Sequence, residues 1–282
     1  VTITRRQLEQ VLAAHGLGPS RALGQNFVVD PNTVRRIARI ADVGPGDRVV
    51  EVGAGLGSLT LALAETGASV TAIEVDRHLL PALDEVLETA GPSRPPVRVM
   101  EADALELDWS ATLEQAAGRS WTMVANLPYN VGTTIVLRAL EEAPQIGRYL
   151  VMVQREVGER LAAEPATPAY GIPSVLVAYR ADARLVGSVP PTVFFPRPKV
   201  DSVLVELVRR PAVATDADEA LLWELVRAGF GQRRKMLRRS LAHHVEPDDF
   251  AVAGIDPRER PERLDIGTWG RLAHAVTQRR TR

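Results

Sequence analysis

The sequence predicts an α/β fold, a doubly wound and mostly parallel sheet with a small helical domain after it, and three observations predict it. Short β-branched runs alternate with helical patterns from residue 48 onward, and the first run ends in a glycine turn, Gly53-Ala54-Gly55-Leu56-Gly57. The composition then changes after Arg209-Arg210-Pro211. Alternation of strand and crossover helix is what a parallel sheet requires. With 282 residues, 45% apolar and 24% charged, the chain holds enough apolar material for one large core and a smaller one.

A capping box, Thr4-Arg5-Arg6-Gln7, opens the first predicted helix. The second starts with Asp30 as N-cap and Pro31 at the first helical position, where a missing N–H is harmless. Between them Arg21-Ala22-Leu23-Gly24-Gln25-Asn26-Phe27 is too polar and glycine-broken for a core element. Strands are expected at Arg48–Val52, 70–74, 97–100, 121–125 and 148–153, with ligands above their carboxyl ends. Two further apolar stretches, 174–186 and 202–208, are expected to pair as antiparallel strands at the far edge. The small and acidic run from Ala212 to Asp218 reads as a linker, so the expected domains are 1–210 and 211–282. In the second, Leu221, Leu222, Leu225 and Val226 form one apolar helical face, and Met236, Leu237 and Leu241 another.

Absence of cysteine excludes disulfides, thiolate metal sites and cysteine nucleophiles, and five scattered histidines give no reason to expect a metal. A net charge of −1 selects neither nucleic acid nor membrane, because a binding face can be basic on a neutral protein. No apolar run has the length of a signal-peptide core or a membrane span, so a cytoplasmic protein is expected, and nothing demands more than a monomer.

A glycine turn after the first strand lets the backbone approach a nucleoside closely, which points to Gly53 and Gly55 as cofactor contacts. The second strand ends at Glu74, 21 positions after Gly53, where an acid hydrogen-bonds a ribose hydroxyl. Dinucleotide sites share this pair. Two features favour S-adenosylmethionine instead: Ser58 stands where the dinucleotide pattern has a third glycine, and Asp103 follows the third strand, placed to accept from an adenine amino group. Taken singly, each has a plainer explanation as a tight turn or an exposed aspartate.

The fourth strand delivers Asn126-Leu127-Pro128-Tyr129 to the same rim. An exocyclic adenine amine is a poor nucleophile because its lone pair is delocalised into the ring. The Asn126 side-chain carbonyl and the Leu127 backbone carbonyl, with the next φ fixed by Pro128, can accept its two N–H donors and free that pair. Tyr129 offers a face for stacking a base drawn out of its helix. In the stiff, proline-bracketed stretch 189–201, Phe194 or Phe195 is expected to close on the base from the other side, the remaining one belonging to the core. Arg233, Arg234, Lys235, Arg238 and Arg239, a stretch without an acid, suit phosphate contacts, which give affinity but no base identity.

Six segments together resemble the ribosomal RNA adenine dimethyltransferase family, in wording closest to its bacterial small-subunit branch. They are Leu23-Gly24-Gln25-Asn26-Phe27, residues 51–57, Asn126-Leu127-Pro128-Tyr129-Asn130, Val153-Gln154-Arg155-Glu156-Val157, residues 190–201 and Phe230-Gly231-Gln232-Arg233-Arg234-Lys235. The resemblance covers nearly the whole chain. It implies a seven-stranded, Rossmann-like class I methyltransferase sheet with a helical rRNA-binding domain, and cofactor contacts at Asn26, Val28, Gly53, Glu74, Asp103 and Asn126. Position 28 is usually leucine in the family, and the valine here implies a backbone contact. The implied substrate is a pair of adjacent adenosines near the 3′ end of 16S rRNA, in the 30S subunit or its precursor, with a part in ribosome biogenesis. Three alternatives stand beside it: methylation of one adenine in 23S rRNA with macrolide resistance, methylation of a protein glutamine, and an assembly factor whose catalysis is dispensable. Leu127, where the glutamine-modifying turn has a proline, argues against the second.

Overall fold

The computed structural model describes residues 3–89, 97–114 and 120–281. The first helix, Arg5–Ala14, begins as its capping box requires, with Thr4 N donating to Gln7 Oε1 at 2.9 Å and Gln7 N to Thr4 Oγ1 at 3.4 Å. The second, Pro31–Ala41, is capped by Asp30, whose carboxylate accepts from Thr33 N at 2.8 Å.

Among the described residues the strands, in chain order, are β1 (Phe27–Val28), β2 (Arg48–Val52), β3 (Ser69–Glu74), β4 (Val97–Glu101), β5 (Trp121–Asn126), β6 (Ile146–Gln154), β7 (Ala181–Val189), β8 (Phe194–Phe195) and β9 (Ser202–Arg209). Seven form one sheet in the order β4-β3-β2-β5-β6-β9-β7. The pairs from β4 through β6 are parallel, and β9 is antiparallel to β6, with Gln154 opposite Ser202. The chain order reverses between β2 and β5, so the ends of β2, β3 and β5 open onto the crevice where this architecture binds ligands. A separate ribbon joins β1 to β8, with Phe27 opposite Phe195 and Val28 opposite Phe194.

The stretch 174–186 is not one strand. Its first part belongs to a helix, Ile172–Arg180, and only from Ala181 does the chain extend as β7. Pro173 sits in the first turn, where proline favours a helix, and Val175 and Tyr179, four residues apart, share its buried face. Thirteen residues are long for a strand, and the helical period is hidden because Val175–Tyr179 is apolar at every position, while the charges at Arg180, Asp182 and Arg184 alternate as a strand does.

The chain divides into two compact units, Val1–Gly158 with Arg184–Arg209, and Glu159–Ala183 with Arg210–Arg282. The chain crosses into the second unit for the second time between Arg209 and Arg210. Residues 159–183, assigned by linear reading to the first domain, join the second unit because Tyr170, Val175 and Tyr179 pack in one cluster with Leu222, Leu225 and Trp269. That unit is helical, built on Glu219–Gly231 and Ile266–Arg280 with shorter helices Leu237–Ser240 and Pro247–Ala253. In the first unit one apolar cluster gathers Val34, Ile37, Leu63, Val124 and Leu150, and another Leu8, Leu56, Leu61 and Leu83. Among the described residues no helix is long and apolar enough to cross a membrane, and no group of three or more acids and histidines could hold a metal ion.

Candidate active site

The turn after β2 is built from backbone that only glycine adopts readily: Gly53 has φ +77° and Gly55 φ +56°. A Cβ on Gly55 would also approach the Phe27 ring to 3.0 Å. The amide of Gly53 donates to Ile73 O at 2.8 Å, continuing the β2–β3 ladder, and that of Gly55 donates to Glu74 Oε2 at 2.7 Å. The other Glu74 oxygen accepts from Asp76 N at 2.9 Å. Two backbone donors therefore hold a buried carboxylate against the turn, and its remaining lone pairs can still accept from hydroxyls. Burial raises the Glu74 pKa, and these N–H bonds oppose the rise. Asp103, exposed beyond β4, accepts from Leu105 N at 2.8 Å and so is fixed by its own turn.

Asn126 ends β5, and its Nδ2 donates to the backbone carbonyl of Asn26 at 2.9 Å. That bond sets the orientation of the amide, because Nδ2 must face the donor's partner and Oδ1 is left as the acceptor. Leu127 N donates to Met152 O at 3.1 Å, and Pro128 O accepts from Gly132 N at 2.9 Å, so the turn is pinned to β6 on one side and to the helix Gly132–Glu142 on the other. Tyr129, half-buried, shares a 2.8 Å hydrogen bond between its hydroxyl and Ser202 Oγ.

Residues 20–28 form a strap across these elements. Gln25 accepts from Ser20 N at 2.8 Å and donates to Asp76 Oδ2 at 2.9 Å, while Asn130 Nδ2 reaches Ala22 O at 3.3 Å. The strap is thereby tied to the turn that follows Glu74 and to the turn that follows Asn126. The resulting pocket holds about 930 Å³ with its open mouth. It is lined by Asn26, Val28, Gly53, Gly55, Glu74, Asp103, Asn126, Leu127, Pro128 and Tyr129, so every expected cofactor and reaction-centre residue meets in one place.

Two expectations change. Phe194 is 2% exposed and packs with Val28, Met152 and Leu204, so it is the core member of its pair and presents no face for a base. Phe195 points the other way, as neighbours in a strand must, and lies half-buried beneath the Arg5 guanidinium at 5.1 Å. Neither ring lines the pocket. In the helical unit, Arg234, Lys235, Arg238 and Arg239 are exposed, but Arg233 is tied to Glu262 at 2.9 Å and to Pro168 O at 2.9 Å. The basic stretch is also not continuous helix: one helix stops at Gly231 and the next starts at Leu237. Backbone bonds from Leu237 to Glu259 and from Arg238 to Pro257 bring the segment with Arg258 and Arg260 alongside.

Glu51, missed by the sequence reasoning, lines the pocket at 1% exposure, and its Oε2 has no partner among the described residues. Burial pushes its carboxyl up to about 8, and nearby Glu74 adds to the effect. The hydroxyl of Ser58, also lining the pocket, is buried with no partner among the described residues. A signal was there to find: an acid inside a valine-rich strand directly before a glycine turn has no packing reason to be present.

The family profile described as ribosomal RNA adenine dimethylase matches residues 19–278. A Thermobifida fusca protein, ribosomal RNA small subunit methyltransferase A, is 46% identical over 96% of this chain and 95% of its own. A protein of that name from Bifidobacterium longum subsp. infantis is 43% identical over 95% and 92%. Among solved structures, a dimethyladenosine transferase from Plasmodium falciparum superposes with TM-score 0.67 at 21% identity, covering 86% of this chain and 94% of that one. The 23S rRNA methyltransferase ErmE gives TM-score 0.65 at 25% identity, covering 89% and 100%.

Proposed function

The chain belongs to the ribosomal RNA adenine dimethylase family, and from that premise we propose that it transfers methyl groups from S-adenosylmethionine to the N6 amines of two adjacent adenosines near the 3′ end of 16S rRNA, as a step in ribosome biogenesis. The observation that carries this reading is the amide of Asn126, turned by the Asn26 carbonyl so that Oδ1 is the acceptor at the pocket.

The pocket fits the cofactor. It offers Glu74 for ribose hydroxyls, Asp103 for the adenine amine, and a glycine turn whose missing side chains leave room for a nucleoside. The partnerless buried atoms of Glu51 and Ser58 are polar groups that a ligand with several donors would satisfy. Asn26 and Val28 close the pocket from the strap. When bound, S-adenosylmethionine supplies an electrophilic methyl group on a sulfonium centre.

The protein's own part is to prepare the amine. Asn126 Oδ1 and Leu127 O accept its two N–H bonds, which draws nitrogen out of conjugation and directs its lone pair at the methyl group. The ring of Tyr129 supports the extruded base, a contact worth about 1–3 kcal/mol. Held so, the amine gives up its proton to water after transfer. On the monomethylated base one N–H remains for one acceptor, and the second transfer follows the same geometry. Exposed Arg234, Lys235, Arg238 and Arg239 contact phosphates.

Relatives named for the small subunit reach 43–46% identity, against 25% for the 23S enzyme, which favours the small subunit. Incubation of unmethylated 30S or 50S particles with labelled cofactor tests the choice. Label in two adjacent adenosines of 16S rRNA is expected; label in 50S alone would overturn it.

A further inference from the structure

Ser202 is wholly buried, at 0% exposure, on a strand whose next residues are Val203, Leu204 and Val205. Apolar packing alone would place another aliphatic residue there. Its hydroxyl instead meets that of Tyr129 at 2.8 Å. The two come from elements that are not neighbours: Tyr129 follows β5, Ser202 opens β9, and β6 lies between them in the sheet. The bond therefore spans a strand to reach a ring that lines the pocket.

A tyrosine ring swings about its first side-chain bond, and anchoring its phenolic oxygen at the far end stops that swing, since the oxygen lies on the axis of the second bond and marks where the ring projects. Ser202 is itself held rigidly by its pairing with Gln154. We propose that Ser202 is a positioning residue for the methyl transfer, anchoring the Tyr129 ring at the place in the pocket where it stacks the target adenine. This rests on the reading of the pocket as an adenine N6 methyltransferase site. Stability does not account for the pair: replacing both members of a buried hydrogen bond by apolar groups of the same shape leaves folding nearly unchanged. A Phe–Ala pair would then fold as well, and what the hydroxyls add is a fixed ring position.

The test follows from that contrast. The double variant Tyr129→Phe/Ser202→Ala is expected to melt near the wild-type temperature and bind S-adenosylmethionine normally, while kcat/KM for unmethylated 30S falls about fivefold, the size of one ordinary hydrogen bond. Each single variant should show the same loss, since either change breaks the one bond, and Ser202→Thr should recover the rate. A 2-aminopurine at the target position should be quenched by the wild type and less so by Ser202→Ala. Wild-type kcat/KM in the double variant, or losses that add between the singles, would overturn the proposal. Should Ser202→Ala fail to fold, Tyr129→Phe decides alone, an unchanged rate being fatal. Failure of the wild type to methylate 30S at all is a separate result, which removes the functional reading itself.

Discussion

At the scale of single residues, the site works by acceptors rather than by a strong base, and Asn126 tests this most directly. Asn126→Ala should leave RNA binding largely intact while single-turnover methylation drops roughly 100- to 1000-fold, the loss typical of removing one preorganised electrostatic contact; a near-normal rate would sink the role. Glu51 makes a second prediction. Its carboxyl, raised from 4.5 to about 8, keeps a proton in the folded protein that the unfolded chain releases, so stability falls as pH rises through that window. Glu51→Gln should flatten the dependence and raise the melting temperature at pH 8, by about 2–4 °C for each kcal/mol recovered; urea midpoints measured from pH 5 to 8 would show it. Residues with a motif around them, such as Glu74 and Asn126, were legible in the sequence. Glu51, Gln25 and Ser202 were not, because their partners lie far along the chain or, for Glu51, because its Oε2 has none among the described residues.

At the scale of elements, the glycine turn and the strap act together, since Gly55 carries the approach of Phe27. Gly55→Ala should destabilise the fold by about 1 kcal/mol or more, because alanine resists a positive φ, and should weaken cofactor binding measured by calorimetry. The basic segment separates two roles that sequence alone ran together. Charge reversal at Arg234 and Lys235 should lower RNA affinity and flatten its salt dependence by ~1–2 units of slope, whereas Arg233→Ala should reduce thermal stability by releasing Glu262. Salt titration of binding and a melting curve distinguish the two. The parallel strands were readable because alternation of strand and helix is a local signal. The helix Ile172–Arg180 was not, since an apolar run shows no period when both its faces are apolar.

At the scale of the whole molecule, the helical unit is made from two separate pieces of chain, so a cut at 210 would strip Val175 and Tyr179 of Leu222, Leu225 and Trp269. Residues 1–210 expressed alone should therefore aggregate. Replacing 159–183 by a short linker in the same fragment should give soluble protein that binds the cofactor, because a Cβ on Gly158 would lie only 3.5 Å from Leu185, and the ends need little to join them. Light scattering and a cofactor titration on both fragments would decide. The ribbon of β1 and β8 adds a matter of timing. Val28 pairs with Phe194, 166 positions later, so at ordinary rates of synthesis β1 waits ~8–33 s for its partner to be made. The wall that carries Asn26 and Val28 can close only after the rest of the catalytic unit is in place, and a nascent chain stays unable to grip its methyl donor until nearly all of that unit has emerged.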